Sequence, residues 1–177
     1  VPIEIHPYNP EWPRRYQLLA KGVRRALGPF ALRVEHIGST AVPGLAGKDI
    51  IDIQVSVTSF YPESNYRAPL ERTGYTYRPD DDLDHRFFKQ DSAAGRRLAN
   101  LHLCEVGSAW ETRHLLFRDI LRSDRQTAKE YELLKTRLSA KHEDVLSYTN
   151  AKTAFIAEVL AGSQPTRGQQ RAPHARR

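Results

Sequence analysis

The chain has 177 residues, 40% apolar and 27% charged, which suits one folded domain with its own core and excludes a collagen-like or intrinsically disordered chain. Its single cysteine, Cys104, has no second cysteine to form an internal disulfide, and no Cys/His spacing resembles a structural zinc site. The formal net charge is +6, yet four arginines lie in the last fifteen residues, SQPTRGQQRAPHARR, which hold no acid, so the body is barely basic and carries no nucleic-acid readout motif.

Residues 3 to 6 alternate Ile3 and Ile5 with Glu4 and His6 and read as a short strand ended by Pro7 and Pro10. The opening VPIEIHPYNPEW has neither the basic nor the apolar region of a secretory signal, and no run approaches the ~18 apolar residues of a membrane span. A cytoplasmic protein without a membrane partner is expected. Trp12, Tyr16, Leu19, Val23 and Leu27 then recur on one helical stripe, with Pro13 suited to the first turn and Gly28 to the end. Residues 31 to 37 alternate as a strand, and GSTAVPGLAGK is a glycine-bearing loop. DIIDIQVSV, residues 49 to 57, is the most strand-like run and is expected at the centre of a sheet. A short helix near residues 62 to 73, a strand at GYTYRP, an acidic turn at Asp80, Asp81, Asp82 and Asp84, and strands at HRFFKQ and NLHLCEV come next.

From Ser108 the period becomes helical. Trp110, His114, Phe117 and Leu121 form one stripe, Tyr131, Leu134 and Leu138 a second, and Val145, Tyr148, Phe155 and Val159 a third, which predicts a three-helix C-terminal layer. Asp124 is read as the N-cap of the helix beginning near Arg125. The architecture expected is one α+β domain over residues 1–162, a mixed β-sheet with helices packed on it, followed by a disordered basic tail over residues 163–177.

The stretch that carries chemistry is Gly38-Ser39-Thr40 followed by Asp52-Ile53-Gln54-Val55. A glycine and two hydroxyl residues at a strand end let backbone N–H groups and short side chains approach phosphate oxygens, because glycine has no Cβ to obstruct them. On a strand, residues 52 and 54 project from one face about 6.6 Å apart, so both side chains can converge on one ion. Mg²⁺ or Mn²⁺ bound there, with substrate phosphate oxygens completing the shell, would polarise the phosphate and orient an attacking hydroxyl. Lys48 flanks the glycine loop as a point charge for a phosphate, and Arg118 could grip one bidentately. His36, just before the turn, is read either as a phosphate or metal ligand or as a buried histidine bonded within the loop. Lys152 lies four residues from both Tyr148 and Ile156, on the core side of its helix, and is expected to find Asp52 or a substrate phosphate. Cys104 reads as a small core residue.

This layout resembles the nucleotidyltransferase superfamily signature of a hydrophobic residue, Gly-Ser, a spacer, then an acid, a hydrophobic residue and a second acid. The longer segments YNPEWPRRY, VEHIGSTAVPGLAGKDIIDIQV, NLHL, HLLFRDILRSD, YELLKTRLS and YTNAKTAFI resemble, in order, the GrpB family, to about residue 160. The resemblance implies a nucleotidyltransferase-like fold, an activity that is unproven, and a module found alone or fused behind dephospho-CoA kinase. It also makes His102, on the strand where the superfamily often has a third carboxylate, a ligand candidate beside Asp52. Two departures stand out. Gln54 replaces the second acid with a neutral amide, and Asp49 adds a carboxylate where the family usually has proline, on the opposite face of a regular strand.

These residues support two functions. In the first, a metal-dependent nucleotidyltransferase binds a nucleotide or phosphorylated small molecule with Gly38, Ser39, Thr40 and Lys48 on phosphates, Asp52 on the metal and His102 assisting. In the second, favoured by Gln54, the fold keeps a nucleotide or anion pocket but performs no transfer and acts as an accessory or interaction module. Nucleic acid binding through the tail is the weakest reading, because the tail lacks aromatic stacking residues.

Overall fold

The computed structural model describes residues 3–79, 82–141 and 145–163. Asp80 and Asp81 of the expected acidic turn, and the basic tail from residue 164 onward with its expected disorder, lie outside the described residues. Five strands, β1 (Arg33–Ile37), β2 (Ile51–Val57), β3 (Tyr75–Tyr77), β4 (His85–Asp91) and β5 (Arg97–Glu105), form one mixed sheet in the order β1-β2-β5-β4-β3. The β2–β5 pair is parallel and the other three pairs are antiparallel. The helices are α1 (Trp12–Leu27), α2 (Arg67–Glu71), α3 (Ala109–Ser123), α4 (Arg125–Lys141), α5 (Val145–Ala151) and α6 (Thr153–Gly162).

Helix α1 begins where the Asn9 side chain accepts the Glu11 N–H and its carbonyl accepts that of Trp12. It stops at Gly28, whose φ of 54° lies in the left-handed region. Its apolar stripe lays Trp12, Ala20, Val23 and Leu27 on one face of the sheet, against Ile51, Ile53, Val55 and Val57 of β2 and Ala99, Leu101 and Leu103 of β5. Leu70 of α2 and Tyr66 before it complete this core. The other face carries the alternate residues, among them Asp52, Gln54, Ser56, Asn100, His102 and Cys104, and is covered by α3 and the helices after it. Helix α3 is tied to that face by Glu111: the Ser108 cap accepts the Glu111 N–H, while the Glu111 carboxylate accepts from Gly107 N and Ser56 Oγ and pairs with Arg33.

Four features differ from the sequence reading. Residues 3 to 6 form no strand beyond a single bridge between His6 and Gly47, because Pro7 has no N–H with which to continue a ladder. Strand β5, rather than β2, takes the middle position, since it pairs along its length with both β2 and β4. The short helix near residues 62 to 73 narrows to a 3₁₀ turn at Glu63–Asn65 followed by α2. The third C-terminal stripe is two helices, broken at Lys152, whose N–H makes a tight bond to the Thr149 carbonyl. Asp124 accepts from the Gln126 and Thr127 N–H groups at the start of α4, and Cys104 is buried in the core.

Candidate functional site

β1 ends at Ile37, and the chain turns through Gly38 into a 3₁₀ turn at Ser39–Ala41 before returning as β2. Gly38 has φ of 71°, and a Cβ there would sit 2.4 Å from Asp52 Oδ2, so a side chain is excluded both by the backbone and by the carboxylate. The turn therefore packs its backbone directly against Asp52. Gly47 plays the same part for Ser39: a Cβ on it would lie 2.8 Å from Ser39 Cβ. Two glycines thus let the loop fold tightly over the start of β2.

Asp52 projects from the face away from α1 and is half-buried. Its Oδ1 accepts from Asn100 Nδ2 at 2.8 Å, Asn100 Oδ1 accepts from Arg97 at 2.8 Å, and Arg97 pairs with Asp91 at 2.6 Å. This chain of bonds along β4 and β5 sets the carboxylate's orientation. Burial raises the Asp52 pKa, against the opposing pull of the Asn100 bond and of the charges on Lys152, Lys48 and Arg97.

Three lysines converge beside it. Lys48 Nζ lies 4.3 Å and Lys152 Nζ 4.4 Å from the centre of the Tyr148 ring, so one aromatic ring carries two ammonium groups. Lys135 is buried on α4 and donates to Ser39 Oγ at 2.9 Å and to the Ala46 carbonyl. Burial holds the Lys135 pKa down to about 7, helped by Lys152 and opposed by Glu132. Lys152 is drawn down to about 8 by burial and by Lys48, with Asp52 acting the other way, and Lys48 is lowered by burial. The lysines come from the loop, from α4 and from the α5–α6 junction, and they meet because the C-terminal helices close over the glycine turn.

Of the residues singled out from the sequence, Gly38, Ser39, Lys48, Asp52 and Lys152 are brought together here. His36 and Thr40 are not. His36 points to the α1 face, stacked 4.5 Å from the Tyr16 ring, with Nε2 2.9 Å from Thr40 Oγ1. Thr40 in turn donates to the Ile50 carbonyl. Burial, with Arg122 and Arg118, lowers the His36 pKa to about 4, and the ring, on the opposite face from Asp52, matches the second reading of the sequence, a buried histidine bonded within the loop. The alternation of β1 decides this, because Val34 and His36 face α1 while Glu35 and Ile37 face Asp52. Arg118 is also occupied, donating to Glu35, Asp119 and the His36 carbonyl, and it anchors α3 to β1. His102 shares the Asp52 face, but its register partner is Gln54, and its ring packs 5.2 Å from Trp110 and 5.1 Å from Phe87. Asp49 stays on the α1 side, holding Trp12, Arg15 and Arg96.

Sequence reading passed over Lys135, Asn100 and the role of Tyr148. Lys135 lies four residues after Tyr131 and one after Leu134, inside the apolar stripe of its helix, and a lysine in such a stripe is the same signal that marked Lys152. Asn100 has no sequence signal of its own, because its place opposite Asp52 depends on the β2–β5 register.

A family model described as GrpB protein matches residues 2–162. The chain belongs to the GrpB family. It is 39% identical over 168 residues to a UPF0157 protein of Halalkalibacterium halodurans, covering 93% of this chain and 84% of that protein. The crystal structure of GrpB from Enterococcus faecalis matches with a TM-score of 0.79 and 32% identity, over 90% of this chain and 96% of that one. Cid1 poly(U) polymerase with MgGTP bound matches at a TM-score of 0.54 and 14% identity, over 77% of this chain and 44% of that chain, a likeness of fold: this GrpB protein has a nucleotidyltransferase-like sheet. A dephospho-CoA kinase of Mycolicibacterium paratuberculosis is 29% identical over 183 residues, and the GrpB chain spans 45% of its length. No helix among the described residues is long and apolar enough to cross a membrane.

Proposed function

We propose that this GrpB protein binds a nucleotide or another phosphate compound in the cleft between the Gly38 turn, β2 and the C-terminal helices. The observation that carries this reading is the convergence of Lys48, Lys135 and Lys152 on Ser39 and Asp52. The Lys48 and Lys152 charges act on the half-buried Asp52 carboxylate while Lys135 Nζ donates to Ser39 Oγ, and such an excess of basic groups over acid is complemented by an anion. Gly38 and Gly47 let the turn pack directly against Asp52 and Ser39, which keeps the hydroxyl-bearing turn next to the carboxylate.

The residues do not fit a divalent metal held by the protein. Mg²⁺ takes six oxygen ligands in near-octahedral geometry. Asp52 Oδ1 is engaged by Asn100, and Oδ2 abuts the Gly38 turn. The fully buried Gln54 offers an amide where a second acid would stand. Among the described residues no three His, Cys, Asp or Glu side chains cluster so as to hold a metal ion. Binding, rather than transfer, is the activity these side chains support, and the accessory role joins it naturally. Dephospho-CoA belongs among the first compounds to test, given the relative named for its kinase.

Thermal denaturation with nucleoside triphosphates, tripolyphosphate and dephospho-CoA tests the reading. A ligand at about 100 times its Kd adds about 2.7 kcal/mol, a rise of roughly 5–10 °C for a domain of this size. If no phosphate compound in that set moves the transition while Lys152→Gln behaves as wild type, the cleft is not a phosphate site.

A further inference from the structure

We infer that the cleft takes its phosphate compound as the free polyanion, without an accompanying divalent cation, the ammonium groups of Lys48 and Lys152, with the Lys135 amine beneath the turn, standing where a metal would neutralise the phosphates. This rests on the phosphate-binding reading and specifies the state in which the compound enters.

The geometry points there on three counts. The first is the accessibility of the carboxylate. Oδ1 accepts from Asn100, and the Gly38 backbone lies close enough to Oδ2 to crowd the approach to Asp52 from that side. The other acids of this face are committed too. Glu35 pairs with Arg118, and Glu111 accepts from Ser56 and Gly107 and pairs with Arg33.

The second is the placement of the cations. Lys48 and Lys152 share one face-on partner, the Tyr148 ring, and neither ammonium group makes a hydrogen bond or close ion pair among the described residues. Two ammonium groups held against one ring repel each other. A ligand carrying several negative oxygens relieves that repulsion, whereas a divalent cation beside them adds to it. The third is Lys135. It is almost fully buried, yet it reaches Ser39 Oγ, so it brings a proton donor from beneath the turn to the position where the hydroxyl meets a phosphate.

A lysine is a compact, strongly hydrated charge with three donors, suited to gather phosphate oxygens without the fixed octahedral shell that Mg²⁺ demands. Asp52 then acts as an internal counter-ion that holds Lys48 and Lys152 near the cleft until the anion arrives. Its charge opposes the ligand rather than anchoring it.

Isothermal titration of the full chain with inorganic tripolyphosphate and with ATP, in EDTA and again in excess Mg²⁺ or Mn²⁺, tests this directly. The affinity in EDTA is expected to equal or exceed that with metal. Binding that appears only with Mg²⁺ or Mn²⁺ overturns the inference and leaves the phosphate site standing; no binding in any condition overturns both. Lys152→Gln is expected to weaken metal-free binding by about 10-fold or more, as for loss of a charged contact, and an unchanged affinity would remove the lysines from the site. Asp52→Asn separates the two ways of using the carboxylate: metal-free binding tightens at least about 3-fold when a like charge is removed, whereas weaker binding would show that Asp52 anchors the ligand. Should the Asp52→Asn variant fail to fold, the wild-type EDTA comparison and Lys152→Gln still decide the matter.

Discussion

The two faces of the sheet are built from the same strands and obey different physics. On the α1 face, Ile51, Ile53, Val55, Val57, Leu101 and Leu103 are entirely removed from solvent among aromatic and aliphatic neighbours. One residue away, on the α3 face, the same strands present Asp52, Gln54, Ser56, Asn100 and His102, and their polar atoms are only partly satisfied within the chain. The Gln54 amide and His102 Nδ1 are buried without a hydrogen-bond partner among the described residues. The first face supplies the stability of the domain. The second gives up some stability, since each buried polar group without a partner costs free energy. The contrast between the faces is a matter of strand phase: the side chains differ because alternate residues point in opposite directions.

The difference between the faces is most strongly disturbed from the apolar side. Ile53→Ala leaves a cavity under α1 and is expected to cost about 2–5 kcal/mol in urea denaturation, with the affinity of the folded protein for tripolyphosphate unchanged; a loss of binding in protein that is still folded would show that the two faces are coupled. A smaller effect of opposite sign is expected on the polar face. Gln54→Leu removes an unpartnered buried amide and should stabilise the protein by about 1–2 kcal/mol; destabilisation of that size would mean that the amide is bonded after all. The effect of pH on the lysines of the polar face is small within any one pH unit and builds up across the titration window. Lys135 and Lys152 have folded pKa values of about 7 and about 8 against an ordinary 10.5. The unfolded chain therefore binds more protons than the folded one between those values and 10.5. The contribution of each lysine to stability rises as pH is raised across that window, by at most about 1.4 kcal/mol per pH unit, and is flat below it. Denaturation midpoints of wild type and Lys152→Gln from pH 7 to 10 measure it, with the variant expected to rise less steeply.

Much of this arrangement was legible in the residues themselves. The alternation in DIIDIQVSV placed a strand with Asp52 on one face, and the steps from Trp12 to Leu27 marked α1 and its apolar stripe. Glycines at 38 and 47 marked a tight turn, and the α+β class came from the change of period at Ser108. His36 illustrates the limit. Its neighbours in sequence are those of the cleft, but a strand carries adjacent residues to opposite faces, and the phase of β1 became definite only when Val34 and His36 docked on α1. Arg118 shows another: its charge invited a phosphate, and Glu35, 83 residues away in sequence, took it instead.

Most of the elements, the apolar alternation of β2 and the glycine turn were set by local pattern, because they depend on periodicity and on the steric freedom of single residues, while the β1–β2 pairing brought the turn beside Asp52. Which charges share a space was settled by folding. Lys135 and Asn100 reach Ser39 and Asp52 from a helix and a strand that lie 96 and 48 residues along the chain, and such pairings depend on distance in space, which no local pattern encodes.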